Sequence, residues 1–257
     1  MSLLDNLENT DHSTAPVLAI YGTGGIGKTS LAAEFPNPLY LYTAGEKPPK
    51  NISMQQKLIR STADLYSVVG ALLTETHDFQ TIIIDTLDAL EPMIWADVCE
   101  RKEWDSIDSN DKGSPTAFGK GWPEVDKDWQ QFMEGMHELS KAGMIVVLLI
   151  HDDAKKVKND PMLDEYRRYE PHLQPRAVDI IKNSVNALLF ITRRTSTKQV
   201  EAAFGGKPTQ KPEAMSGAER LIYTDERAGF LAKNRMDMPH SIPYKKGQGF
   251  SELSKYF

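Results

Sequence analysis

The segment Gly22-Thr23-Gly24-Gly25-Ile26-Gly27-Lys28-Thr29 fits the pattern G-x-x-x-x-G-K-[ST] at every fixed position. Such glycines let a backbone curl until successive N–H groups point inward at phosphate oxygens, and the helix that follows adds its positive end. Lys28 is placed to bridge the β- and γ-phosphates of a bound nucleotide, and the Thr29 hydroxyl to reach Mg²⁺. Gly22 to Ser30 is therefore the expected cradle, with ATP and Mg²⁺ as cofactors. Asp85 closes the apolar run Thr81-Ile82-Ile83-Ile84, at the strand end where open α/β sheets bind ligands. Thr29 and Asp85 form the expected metal pair. His151 closes another apolar run, Met144 to Ile150, and is a candidate to sense the γ-phosphate and relay its state into the loop beyond.

These side chains need strands to present them. Continuous apolar runs at Val17 to Tyr21, Leu39 to Tyr42, Thr81 to Ile84, Met144 to Ile150 and Ala187 to Ile191 read as buried parallel strands. Between them, Lys28 to Glu34, Ala63 to Thr74, Leu87 to Glu103, and Glu124 to Lys141 behind Pro123 read as helices. The alternation predicts an α/β fold, a mostly parallel twisted sheet flanked by helices. Asp105 to Trp122 and Asp152 to Arg176 read as long loops, and Arg220 to Thr224 and Gly229 to Ala232 as short C-terminal strands. The expected divisions are a flexible N-terminal arm at 1–15, an ATPase domain at 16–240 and a basic tail at 241–257.

An apolar fraction of 40% and a charged fraction of 26% over 257 residues suit one large globular domain and argue against wholesale disorder. No window approaches the roughly 20 apolar residues of a membrane span, and the acidic N-terminus MSLLDNLENTDHSTAP lacks a basic region before an apolar core. A cytoplasmic location is expected, the host's if the chain is phage-encoded. Cys99 is the only cysteine, which excludes an internal disulfide or a cysteine zinc cluster. A net charge of -6 gives no global attraction to nucleic acid, so a DNA site must be a local patch. From Arg227 to Phe257 six Lys or Arg face two acids.

The cradle, the segment Ile82-Ile83-Ile84-Asp85-Thr86-Leu87-Asp88, Phe118-Gly119-Lys120-Gly121-Trp122, Ile150-His151, Tyr169-Glu170-Pro171-His172-Leu173 and Ala232-Lys233-Asn234-Arg235 occur here in one order. In that combination, from Val17 onward, the chain resembles small phage RecA-like P-loop ATPases, including the Sak-four-type single-strand annealing proteins. The resemblance implies a RecA-like core and an ATPase that forms a homo-oligomeric ring or filament. It also implies binding to single-stranded DNA in recombination, by annealing or strand pairing, with a single-strand-binding protein as a further partner. It makes Glu46 the candidate catalytic carboxylate. The family places glutamate directly after its second strand, whereas this chain reads Tyr42-Thr43-Ala44-Gly45-Glu46, so either the acid has shifted or hydrolysis is weak. Lys233 and Arg235 correspond to a basic pair that reaches the γ-phosphate of a neighbouring subunit.

In a RecA arrangement the two long loops face the DNA axis. The first offers Lys112, Phe118, Lys120 and Trp122; the second offers Lys155, Lys156, Lys158, Tyr166, Arg167, Arg168 and Tyr169. Cations interleaved with aromatics suit single strands, whose phosphates attract charge and whose bases stack. Seven cations and seven acids from Asp152 to Lys182 cancel, so binding there requires the cations to gather on one side. Two other readings use the same cradle: an ATP-dependent loader or switch acting on a replication protein, and a small-molecule kinase with a closing arginine lid.

Overall fold

The computed structural model describes residues 14–43, 45–46, 50–158, 164–194 and 219–257, with the backbone of two further strands at 196–200 and 209–213. The N-terminal arm lies outside the described residues up to position 13. In chain order the elements are β1 (Val17–Gly22), α1 (Lys28–Ala32), β2 (Pro38–Thr43), β3 (Gln55–Ile59), α2 (Thr62–Thr74), β4 (Thr81–Asp85), α3 (Leu87–Lys102), α4 (Trp122–Lys141) and β5 (Ile145–Val157). There follow β6 (Tyr166–Pro171), α5 (Pro175–Ser184), β7 (Ala187–Arg193), β8 (Ser196–Val200), β9 (Thr209–Glu213), β10 (Arg220–Tyr223), β11 (Lys233–Asn234), β12 (Ser241–Tyr244) and α6 (Gly249–Leu253).

The main sheet runs β12-β10-β7-β1-β5-β4-β2-β3. From β7 to β3 every neighbouring pair is parallel, while β10, β11 and β12 join antiparallel. Parallel strands covered on both faces must be apolar at every position, and the interior confirms why the runs are continuous. Val17, Ala19, Tyr21, Ile82, Ile84, Val146 and Leu148 face one core cluster. Leu18, Ile20, Ile83, Val147 and Leu149 face the other.

The first face carries α2 to α5. On α4, Val125, Trp129, Phe132, Met136 and Leu139 recur every three or four residues and are all buried; each large side chain so buried contributes roughly 1.5–3 kcal/mol. Helix α2 begins with a side-chain cap, Ser61 Oγ accepting from Asp64 N–H at 3.1 Å. The second face carries α1 and α6, with Leu31, Phe35, Tyr244 and Leu253 buried between them. No helix among the described residues is long and apolar enough to cross a membrane.

Three expectations need correction. Asp152 to Arg176 is not a loop: β5 continues to Val157 and pairs antiparallel with β6, and α5 begins at Pro175. Its strands carry charges on both faces, so no apolar alternation marks them. Gly229 to Ala232 is not a strand; Arg227 and Phe230 exchange backbone hydrogen bonds in a tight turn, and the regular pairing falls to β11 against β7. Residues 241–257 do not hang free as a tail. β12 pairs with β10, and Glu34 accepts hydrogen bonds from Tyr244 OH at 3.0 Å and Gly247 N–H at 2.7 Å. Lys245 and Lys246 dominate the local composition, but Ile242, Tyr244 and Leu253 decide where the segment goes, because they bury.

Candidate functional site

Gly22 ends β1, and the cradle turns over before Lys28 starts α1. A Cβ on Gly22 would collide with the Ile191 carbonyl of β7, so only glycine lets the two strand ends close up. Gly27 has φ +113, in the left-handed region. Thr23, Gly24 and Gly25 form the exposed tip, Ile26 is buried, and Ser30 lines the cavity described below. Lys28 is 6% exposed and its ammonium turns back on the loop, donating to Gly22 O at 2.6 Å and Thr23 O at 3.4 Å. Burial lowers its pKa; Asp85, Asp152, Asp88 and Glu46 work against that shift.

Asp85 is delivered by β4, as its sequence position implies. Its Oδ2 accepts from Thr29 Oγ1 at 2.8 Å and from Tyr40 OH at 2.8 Å. The Asp85–Thr86 peptide is cis. Thr29 and Asp85 thus supply a hydroxyl and a carboxylate oxygen side by side. These are hard donors suited to Mg²⁺, which takes one or two protein ligands and fills the rest with phosphate oxygens and water. Among the described residues no group of three or more His, Cys, Asp and Glu could hold a metal by itself.

A cavity of about 180 Å³ joins Gly25, Gly27, Lys28, Thr29, Ser30, Asp85, Glu46 and His151. His151 sits where β5 leaves the sheet, with Nε2 3.9 Å from Glu46 Oε1. Its Nδ1 meets Asp88 Oδ2 at 2.9 Å, and its backbone N–H donates to Asp88 Oδ1 at 3.0 Å. The Asp88 hydrogen bond is the main cause that raises the His151 pKa. Burial alone would push Asp88 up, but the bonds from His151 hold it below the usual carboxylate range. Glu46 is raised, first by burial and then by Asp85, which favours a carboxylate able to accept a proton.

Asp88 and Asp152 have no place among the expected site residues. Asp88 lies three positions after Asp85, in the first turn of α3, a spacing that could have drawn notice. Asp152 Oδ2 accepts from Thr23 Oγ1 at 3.0 Å and ties the cradle to β5; nothing in the sequence links residues so far apart.

Lys233 and Arg235 lie away from this cavity. The Lys233 ammonium donates to the carbonyls of Lys182, Asn183 and Val185 at the end of α5. Burial, then Arg235 and Lys182, pushes its pKa down to about 8. Lys233 therefore caps a helix of its own chain. Arg235 is exposed; its N–H donates to Asn186 O, and Asn186 N–H donates to Val17 O. It sits beside the start of β1, while the cradle begins at the other end, roughly 16 Å along the strand.

Of the expected DNA contacts, Lys112 and Lys120 are exposed in the loop before α4, beside Phe118, which is 66% exposed at φ +55. Trp122 is half-buried and meets Trp95 in an edge-on contact at 5.4 Å. In the β5–β6 hairpin, Lys155 donates to Leu173 O, Lys156 pairs with Glu165 at 2.8 Å, and Arg168 pairs with Glu170 and Glu226. The register sets Lys156 opposite Arg167 and Ala154 opposite Tyr169. By strand alternation Lys156, Lys158, Arg167 and Tyr169 share one face with two acids, Asp152 and Glu165. The other face holds Lys155 and Arg168 against Asp153 and Glu170. The first face thus keeps an excess of one cation, and the second is balanced.

Across residues 14–236 the chain matches the family model described as an AAA domain. It is also 32% identical over 158 residues to the SPbeta prophage-derived uncharacterized protein YorG of Bacillus subtilis (strain 168). The match covers 58% of this chain, and the chain spans 45% of that relative's length.

Proposed function

Because the chain belongs to the AAA domain family, we propose that its P-loop site hydrolyses ATP with Mg²⁺ in a RecA-like oligomer of phage type that binds single-stranded DNA during recombination. The observation carrying this reading is the path of β5. One strand brings His151 to the cavity of the cradle and then carries Lys156 on the hairpin face with the excess cation.

Lys28, Thr29 and Asp85 would hold the nucleotide and its metal, whose charge offsets that of the phosphate oxygens when bound. Glu46 orients water and accepts its proton. His151, fixed by Asp88, faces the same space and is covalently continuous with Asp152, which grips Thr23 of the cradle. The hairpin face offers phosphate-binding cations and Tyr169, 46% exposed, as a surface for a base. Arg235 is too far from its own cradle to serve it, which supports action on a neighbour's nucleotide in trans.

The test is ATP hydrolysis with and without single-stranded DNA, for the natural chain, Lys28→Ala and Arg235→Ala. The expected result is DNA stimulation that both variants lose. Hydrolysis indifferent to DNA, with Arg235→Ala unaffected, would move the assignment to a switch acting on another protein.

A further inference from the structure

Arg220 belongs to none of the groups placed so far. It opens β10 beside Arg193 of β7 and opposite Tyr244 of β12, and its guanidinium carbon lies 5.7 Å from the centre of the Tyr244 ring. Its other neighbour is the cradle. A Cβ on Gly27 would lie 3.1 Å from Arg220 Nη1, 3.3 Å from Cζ and 3.7 Å from Nε. Glycine at 27 therefore lets a guanidinium lie against the main chain, and Tyr244 backs it. Tyr244 is spoken for, its hydroxyl donating to Glu34 at 3.0 Å. Among the described residues the Arg220 N–H groups have no hydrogen-bond acceptor, although the side chain is half-buried. The Arg220 nitrogens are not among the buried unpartnered atoms, so beside a phosphate-binding loop they are open to donate to an anionic oxygen of a ligand.

The sheet order says which oxygen. Asp85 on β4 and His151 on β5 lie on one side of β1, and β7 and β10 on the other. The cavity with Lys28, Thr29 and Asp85 takes the metal-bound end of a polyphosphate. A second cavity, of about 220 Å³, lies beyond the tip and is lined by Thr23, Gly24, Gly25, Ile26, Thr192 and Arg193. Gly25 lines both. A nucleotide laid along the loop from the Asp85 side runs its nucleoside end toward β7 and β10.

We propose that Arg220, laid between Tyr244 and Gly27, binds the α-phosphate of the nucleotide in the same subunit, and that the cavity by Ile26 and Thr192 receives the nucleoside. This rests on the nucleotide-binding reading of the cradle. The guanidinium edge donates to an α-phosphate oxygen; Tyr244 fixes its plane and Gly27 its distance from the loop.

The experiment is calorimetric titration with ADP and Mg²⁺ of the natural chain, Lys28→Ala, Arg220→Met and Arg220→Lys, alongside thermal melts without nucleotide. Arg220→Met should weaken ADP about tenfold or more, as loss of a charge-assisted contact implies, with the nucleotide-free melt preserved. Natural affinity in Arg220→Met, with Lys28→Ala defective, overturns the inference and leaves the cradle standing. Should Arg220→Met melt early, Arg220→Lys decides: it keeps charge but loses the planar fork, so weakening by about threefold or more supports the role, and natural affinity overturns it. If the natural chain fails to bind ADP, or Lys28→Ala binds as well as it does, the nucleotide reading fails and this inference with it.

Discussion

Asp88 grips His151 twice, once through the ring at 2.9 Å and once through the backbone N–H at 3.0 Å. Two bonds to one carboxylate leave the imidazole little freedom about its own axis and fix the ring nitrogen that looks toward Glu46. Asp88 is then a positioning residue for whatever His151 does.

Asp88→Asn should lower ATP turnover by roughly 10²-fold, the scale of a misplaced acid–base group, with KM for ATP little changed. The amide can still accept the backbone N–H, so the melt should hold. Steady-state kinetics across pH provides the check, and equal losses in Asp88→Asn and in a distant surface variant would dismiss the positioning role.

The two faces of the β5–β6 hairpin should separate cleanly. Charge reversal at Lys156 and Arg167 should weaken single-stranded DNA binding and flatten its salt dependence, since each lost phosphate contact removes released counterions. Reversal at Lys155 and Arg168 breaks their bonds to Leu173 and Glu170 and should show mainly in stability. Affinity measured against salt for both pairs tests the difference between the faces, and equal effects from the two would discard it.

Lys233 and Arg235, two positions apart, should behave as unlike residues. Lys233→Met leaves the α5 carbonyls without their donor and should cost about 1–2 kcal/mol in urea unfolding. Arg235→Ala should leave unfolding unchanged and reduce hydrolysis only where subunits assemble. Matching effects of the two in both assays would contradict this division.

Glu91 predicts a pH dependence of stability. It is 7% exposed and binds the Gln174 N–H at 3.0 Å. Burial, helped by Asp88, pushes its carboxyl from 4.5 up to about 7, against the Gln174 bond and Lys155. The folded state keeps this proton where the unfolded chain has lost it. Its contribution is therefore complete below the unfolded value and disappears as pH rises through about 7. Glu91→Gln should flatten unfolding free energy between about pH 5 and 7, by an amount on the order of 3 kcal/mol at most. An unaltered slope would assign the titration to another group.

The parts legible in the sequence are those written in consecutive residues. The cradle and the Asp85 strand announce themselves because a loop and a buried parallel strand each need a fixed local run. Gln55-Gln56-Lys57-Leu58-Ile59 gives no such signal, since β3 lies at the sheet edge and its first three residues are exposed. α5 is short and sits behind a charged hairpin that itself shows no apolar period. Asp152 with Thr23, and Arg220 with Gly27, are separated by 129 and 193 residues and meet only because β5 and β7 flank β1. The segment that reads as a basic tail carries the aromatic and aliphatic anchors that close one end of the sheet.

Strand β5 leads two lives. From Val146 to Leu149 it is paired on both sides, by β1 and β4, and buried. From Asp152 outward it has one partner, β6, and surfaces. Amides in the first stretch exchange with solvent only when the whole domain opens, whereas those in the second can exchange by fraying of the hairpin alone. The molecule can thus rearrange the far end of this strand many times over without loosening the end that holds the nucleotide cavity in shape.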